Sequence, residues 1–469
     1  MGYIHFFDDW QLISYSNLVR KQGSPRYRPE ATLVDGLTEG TWNFPLVTYL
    51  AEQQKYIGLY GGAASLPIFN SMQIPEGVDK NLKPRTQVLC YAESKDGINW
   101  DKPDLTSRAN FGGETFVKNQ VFGLEQGYDG GPATYDPYDP DPQRRFKYLI
   151  NFKDNAYNAH GIRAMVTSGN GIDWKIEKYF KDQHGTDTPT SIFYNPLKEC
   201  YSFNIRYWSG DRRIFFMNTK DFENFGDAEL IMHPDSMDEP LVGFYGMPVA
   251  YYEGLFVGLL WKIYCDPATQ TLANGKVNCE LVYSYDGSHF NRAFRQPFID
   301  TNELGDHGGG CVYTGSMVVT PENTIRFYSG GSKAEHFQNQ ELEDAALMMH
   351  EMRLDGFMYM ATPSGRGRLR TRPLRIHGDS LKINARSPWG YVKVRVLDEN
   401  AKVIEGYDFD DCIPLVGDEL FWEPKWKNGK TIAGVKSHLR RSLEIEINTG
   451  EIFGIRGDFE RLKCLWDKD

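Results

Sequence analysis

Acidic residues placed just ahead of short strand-like runs are the main chemical resource of this sequence. Asp129 stands in "GYDGGPATYDP", Asp187 in "GTDTPTSIF" and Glu239 in "DEPLVGFYGMP". Glu30 in "YRPEATLVDG" and Asp306 in "GDHGGG" occupy similar loops. Carboxyl groups gathered in one cleft can split a glycosidic bond. One protonates the leaving oxygen while a second attacks the sugar or activates a water, about 5 Å apart for retention and roughly 6.5–9.5 Å for inversion. Crowded carboxylates raise one another's pKa, which keeps one protonated near neutral pH. The same residue types also cap turns and strand starts.

Other side chains fit a sugar site. Arg206 in "FNIRYW" could clamp a hydroxyl or an anionic group, or serve a structural ion pair. His307 could hydrogen-bond a sugar, and the glycines beside it would let a ligand come close. His336 in "GSKAEHF" follows a strand-like run that could bring it to the same place. Trp42 and Tyr128 offer flat rings for stacking on a sugar face or for packing.

Several chemistries lack support. No P-loop, dinucleotide fingerprint, GxSxG elbow or HExxH motif is present. "DPYDPDPQRR" (136–145) resembles a calcium loop but lacks its Gly and distal Glu, and its prolines suit a hairpin. Seven scattered cysteines without a CxxC pair predict neither a disulfide framework nor a zinc site, so no metal and no cofactor is expected. A net charge of −11 excludes a nucleic-acid partner, and the one basic run, "GRGRLRTRPLR", reads as a solvated strand or linker. "MGYIHFFDDWQLISY" does not read as a signal peptide and no apolar run is long enough to span a membrane. The expectation is a soluble cytoplasmic protein, with a small carbohydrate as partner and a surface available for homo-oligomers.

The elements that would position these residues are announced by a repeated turn. "SKDGINW" (94–100), "SGNGIDW" (168–174) and "SYDGSHF" (284–290) share one pattern, with a weaker copy in "TKDFENF" (219–225). Asp-Gly at such a place predicts a two-residue hairpin, and the aromatic residue that follows should pack on a neighbouring sheet. Two further strand-like runs precede each turn, as in "FPLVTYLA" and "KYIGLYGG". Five units of about four strands, with almost no helical periodicity, predict an all-β fold whose main domain is a five-bladed β-propeller over 1–360. Residues 1–40 are expected to close its ring by lending a strand to the last blade. After 360 the turn pattern stops, and alternating runs such as "YVKVRVLDENAKVIEGYDF" predict a C-terminal β-sandwich over 361–469.

This layout, with "YAESKDGINWDKP" ending the first unit, resembles the five-bladed propeller glycoside hydrolases of families 32 and 43, and more closely the uncharacterised bacterial proteins labelled family 32-like. The resemblance implies three acids at the starts of the innermost strands of blades one to three. The matching positions here are Asn43 in "TWNFPLV", Asp129 and Asp187. Asn43 is an amide and can be neither nucleophile nor base. Another acid must then take over, with Glu30, Glu239 and Asp306 as the nearby candidates; the expected pair is Asp187 with Glu239 as general acid, and Asp129, in the part resembling the family's second acid, positions the sugar or tunes a neighbour. His307 would hold a sugar, or a central ion or water as in some family 43 relatives. The expected activity is hydrolysis of a small oligosaccharide or glycoside, such as a fructoside or arabinoside. An inverting phosphorylase is the enzymatic alternative, needing a basic cluster for which Arg206 and His307 are the candidates. A non-catalytic glycan-binding propeller is the alternative that Asn43 favours.

Overall fold

The computed structural model describes residues 1–34, 44–64, 86–107, 117–123, 128–130, 133–152, 162–181, 191–205, 212–265, 275–336 and 345–462. Among them the regular structure is β-strand, with 3-10 turns such as Pro29–Ala31 and Pro142–Arg144 and no α-helix. Among the described residues no helix is long and apolar enough to cross a membrane. Contacts divide the chain into two units, Pro25–Glu351 and the combination of Met1–Ser24 with Met352–Asp469.

The larger unit is built from antiparallel strand groups in chain order. The first sheet runs Leu46–Leu50, Lys55–Ala64, Thr86–Ser94, Gln120–Phe122. The second uses Tyr128–Gly130 and Thr134–Tyr135 beside Phe146–Phe152, Ile162–Ser168 and Trp174–Lys181. The third runs Ser191–Asn195, Cys200–Ile205, Ile214–Thr219, Glu229–Met232. A nine-stranded sheet follows, and its two halves meet at one parallel pair, Val277 with Cys311. Its first half centres on Leu255–Cys265 and Gly275–Ser284, and its second on Cys311–Val319, Thr324–Ser332 and Ala345–Arg353. Counting those halves separately gives five groups.

Apolar clusters join the groups in sequence order. Ile57 and Tyr91 pack with Phe146 and Ile150, Leu149 and Met165 with Phe203, and Phe193 and Phe216 with Phe244 and Phe256. Trp261 and Val277 pack with Cys311 and Tyr313, and Val318 and Tyr328 with Val47 and Tyr56. The last cluster returns from the fifth group to the first.

The repeated turn explains much of this docking. Its hub is a side chain: Asp96 Oδ1 accepts from the Ile98 and Asn99 N–H groups, each at 2.8 Å, while Ser94 Oγ accepts from Gly97 N–H at 2.8 Å. Asn170, Asp221 and Asp286 hold the same two N–H groups in their own turns at 2.8–2.9 Å. The loop is therefore an Asx turn longer than the two-residue hairpin that Asp-Gly predicts, because the carboxylate takes donors a tight hairpin would pair across strands. Only the residue after the hub is left-handed, with φ of 71° at Gly97, 76° at Gly171 and 75° at Gly287. Phe222 takes that conformation at φ 59° in the fourth copy and is buried against Tyr201.

Each turn docks on the preceding group. Tyr328 Oη donates to Gly97 O at 3.0 Å and Asn195 Nδ2 to Asp286 O at 3.0 Å. Trp100, Trp174, Phe225 and Phe290 join the clusters that link each group to the one before it. There are four turns for five groups because the outer strand of the fifth, Arg26–Tyr27, arrives from upstream and pairs with Glu351 and His350.

The "DPYDPDPQRR" loop is organised by a cation from its own chain. Lys147 Nζ is wholly buried and lies 2.6 Å from Asp139 Oδ2, 2.6 Å from Arg144 O and 3.9 Å from Asp136 Oδ2. Asp136 also accepts from Tyr201 Oη at 2.6 Å, and Asp141 caps the turn through Gln143 N–H. Burial opposes the charge on Asp139, but the Lys147 hydrogen bond, the Asp141 N–H and attraction to Lys147 outweigh it and hold that carboxyl below its usual range.

The other unit holds a nine-stranded sheet and a two-stranded ribbon, Cys412–Ile413 with Lys425–Trp426, around a core that includes Ile383, Val394, Ile445 and Ile455. The 24-residue strand Leu374–Leu397 pairs first with Glu451–Arg461 and then with Ser442–Asn448. Here the expected boundaries need correction. Residues 1–24 do not join the strand groups: Gly2–Ile4, Leu12–Ser16 and Val19–Gln22 pair with Glu451–Arg461, Arg366–Thr371 and Met358–Ala361. Of the described residues up to 34, only the stretch from Arg26 to Leu33 pairs with the fifth group, and the division falls at 351, not 360. In the basic run, Arg368 faces outward and pairs with Glu446 at 2.6 Å. The six described cysteines are free and buried.

Candidate functional site

Topology gives the candidate residues a common position. Each group begins with a strand at its own end of the strand order, and most of the residues singled out in the sequence lie just ahead of that strand. Asn43 lies three residues before Leu46, Asp187 four before Ser191, Glu239 three before Val242 and His307 four before Cys311. Asp129 lies within the short strand Tyr128–Gly130, opposite Asn151, on the same edge as Thr134–Tyr135. Trp42, Asn43, Asp187 and Arg206 lie outside the described residues.

Around the starts of the fourth, fifth and first groups the described residues form an aromatic cluster. Phe44 stacks on Trp261 at 5.2 Å and meets Tyr313 edge-on at 5.3 Å. Tyr245 meets the His336 ring at 4.7 Å, and Tyr313 Oη lies 3.0 Å from His336 Nδ1. Trp261 Nε1 donates to Thr314 O at 2.9 Å. The Arg212 guanidinium sits 5.2 Å from the Tyr245 ring centroid, in cation–π range. Burial holds the Tyr313 phenol well above its usual pKa, so it stays a neutral hydrogen-bonding group.

His336 is therefore brought to this cluster, but at 1% exposure it is packed in the protein interior and not open to a ligand. His307 is half-buried and its carbonyl accepts from Asn302 Nδ2 at 2.8 Å. Its glycines serve their own chain: a Cβ on Gly309 would lie 2.3 Å from Glu303 O, and one on Gly310 2.2 Å from Ala334 O. The close approach they permit is backbone on backbone, which replaces the expected room for a ligand. Asp306 is exposed in the turn, where its N–H donates to Glu303 O at 3.1 Å.

Glu239 belongs to a charged network at the start of the fourth group. Lys262, its side chain 3% exposed, lies 3.4 Å from Asp238, 3.5 Å from Glu239 and 3.5 Å from Glu280. Arg292 bonds Asp238 through two nitrogens at 2.7 Å and Glu280 through two at 2.6 Å. Burial works against the Lys262 ammonium, but Tyr264, Glu280 and Glu239 outweigh it and raise its pKa. Asp238 and Glu280 share Lys262 with Glu239, so the carboxylates gathered here are accompanied by cations. The Glu239 side chain is 62% exposed and free to meet a ligand.

Glu30 stands elsewhere. It follows Arg26–Tyr27, the outer edge of the fifth group, and pairs with Arg28 at 2.7 Å. Its own backbone N–H and Arg28 hold its carboxyl below the usual range. That edge is opposite the one carrying His307. Arg212, Tyr245, Trp261, Tyr313 and Lys262 were not singled out from the sequence. The aromatic residue recurring in the first strands, Tyr245 in "VGFYG" and Tyr313 in "CVYTG", is the signal that could have found two of them. A shallow cleft lined by Lys198, Cys200, Asn218 and Lys220 lies at the other end of the third group, away from the lead-ins.

No protein-family model and no curated protein matches this chain. The resemblance to families 32 and 43 thus stays a resemblance. Among solved structures, a glycosyl hydrolase from Bacteroides ovatus is 14% identical, over 71% of this chain and 94% of that one, with a TM-score of 0.46. A β-1,2-mannobiose phosphorylase from Listeria innocua, in complex with β-1,2-mannobiose, is 12% identical over 73% and 98%, with a TM-score of 0.46. A structure from work on GH130 mannoside phosphorylases and glycoside hydrolases that target β-1,2 mannosidic linkages in Candida mannan is 15% identical over 71% and 94%, with a TM-score of 0.45. Likenesses at this level establish neither family nor activity.

Proposed function

We propose that the chain is a glycoside hydrolase that cleaves a small oligosaccharide or glycoside in the funnel of a five-bladed β-propeller, with a β-sandwich as its second domain. The observation that supports this reading is the position of Glu239 and His307 just ahead of the first strands of the fourth and fifth groups, with Asp129 on an edge strand of the second. In a cyclic arrangement of groups such lead-ins converge. On this reading Asp187, Asp129 and Glu239 act as the acids of one site. One carboxyl group protonates the glycosidic oxygen and another attacks the anomeric carbon or activates water. Asn43 holds a sugar hydroxyl in place of an acid, with Trp42, Tyr128, Arg206 and His307 around the substrate.

A second reading, an inverting phosphorylase, has one observation in its favour. Arg212 lies over Tyr245 in the aromatic cluster, and a guanidinium there suits a phosphate oxygen. Sugar release from fructosides, arabinosides, galactosides and mannosides, run with and without phosphate, tests both. Release without phosphate, abolished in Asp187→Asn, supports the hydrolase. Strict phosphate dependence turns the assignment to a phosphorylase. Sugar binding with no turnover on any substrate makes the protein a glycan-binding propeller instead.

A further inference from the structure

The outer strand of the fifth group is short and is held over a buried histidine. Tyr27 pairs with His350 and Arg26 with Glu351. Arg28 N–H donates to Met349 O at 2.9 Å, and Leu33 and Leu347 exchange backbone bonds at 2.9 and 3.0 Å. His350 is 3% exposed, its ring lies 5.3 Å from that of Tyr27, and its Nδ1 has no hydrogen-bond partner. A neutral imidazole is tolerated in such a place, whereas an imidazolium would be largely removed from water and its Nδ1–H would lack an acceptor.

The surrounding charges are engaged with one another. From the N-terminal side, Tyr27 Oη is bonded to Thr32 Oγ1 at 2.7 Å, and Arg28 pairs with Glu30 and Glu351, each at 2.7 Å. Arg26 is the strand partner of Glu351. From the neighbouring strand Thr324–Ser332, Arg326 bonds Glu351 at 2.8 Å. Glu351 follows His350 in an extended strand and so lies on the opposite face. No ion pair or hydrogen bond among the described residues reaches the His350 ring, and burial is the cause that lowers its pKa to about 4.

We propose that residues 25–33 are an acid-released latch: protonation of His350 frees this segment from strand Ala345–Arg353. The sign follows from linkage. The docked state holds His350 neutral, and the released segment lets it titrate near 6.5. Latch stability is therefore complete above about pH 6.5 and falls as the pH drops toward 4. At pH 5 the two pKa values give about a thirty-fold loss in the docked-to-released ratio.

Hydrogen exchange on the full chain at pH 7 and pH 5, corrected for the intrinsic chemical rate, tests this. The amides of Arg28 and Leu33 should lose about twenty-fold in protection on acidification, while those of Leu443 and Ile445 in the other unit's core keep theirs. His350→Leu should remove the loss. Unchanged corrected protection in wild type, or an equal loss in His350→Leu, overturns the latch. Should that variant not fold, NMR titration of His350 in the wild-type protein decides: a pKa near 4 agrees, and one of 6 or above refutes it.

Discussion

Replacing Lys147 with Met tests the buried cation in the 136–145 loop. The methylene volume is kept and the charge is lost. Asp139 then loses its 2.6 Å ammonium partner and retains the Asp141 N–H at 2.9 Å, while Arg144 O loses a donor at 2.6 Å. Asp136 is less affected, because Tyr201 Oη at 2.6 Å and the Tyr138 N–H at 2.9 Å remain. The main cost is one carboxylate left buried without a counter-charge, about 3–5 kcal/mol. For a unit of this size that is a drop in Tm of roughly 5–8 °C. Adding Asp139→Asn removes the orphan charge and should return about 2 kcal/mol of it. The pH dependence has a definite sign. In wild type, Asp139 is held low, so its stabilisation is present above about pH 4 and lost below. In Lys147→Met the same carboxyl gains from protonation, so the gap to wild type narrows as pH falls toward 4. Thermal and urea melts from pH 4 to 8 measure this. A cost below about 1 kcal/mol, or a double variant no better than the single, would refute the reasoning.

Further expectations concern the repeated turn and the aromatic cluster. Gly97→Ala puts a Cβ 2.5 Å from Tyr328 Oη at a φ of 71°, and should cost about 1–3 kcal/mol in a urea melt. Asp96→Asn should cost under about 1 kcal/mol at pH 7, since Asn170 already serves the same two N–H groups in its own turn. Burial would raise Asp96 and Asp286, but the N–H groups they accept from outweigh it and hold both well below the usual carboxylate range. Their stabilisation is therefore complete above about pH 4 and is lost as the pH falls further, and Asp96→Asn should flatten that acid limb in melts at pH 2–5. Trp261→Ala empties the centre of the aromatic cluster and should lower stability by about 3–5 kcal/mol, whereas Trp261→Phe keeps most of the ring contacts and costs less.

How much of this was legible in the sequence depends on how local each cause is. The strand groups could be read because the turn carries Ser, Asp and an aromatic at fixed offsets, all acting within seven residues. The length of that turn could not, because Asp-Gly signals a tight hairpin unless the carboxylate is seen to collect two N–H groups. The destination of residues 1–24 was hidden for another reason. Gly2 pairs with Gly457 and Leu12 with Thr371, and no local pattern announces a partner so far along the chain. At the candidate site, the place of Glu239 ahead of Val242–Gly246 could be read from strand order, whereas Asp129, read as preceding a strand, lies within the short strand Tyr128–Gly130. The cations beside Glu239 come from Lys262 and Arg292, on two different strands, and only their packing reveals them. His336 was visible as a histidine after a strand, but its burial among Tyr245 and Tyr313 belongs to the tertiary fold.

The central claim is that acids leading into the first strands act together on one glycosidic bond. The most direct measurement compares sugar release by wild type, Asp129→Asn and Asp187→Asn on any substrate from the panel that wild type turns over, with melts run in parallel. The account predicts at least about a hundred-fold loss of kcat in Asp187→Asn and a clear loss in Asp129→Asn, with both variants folded. Full turnover by a folded Asp187→Asn would contradict it.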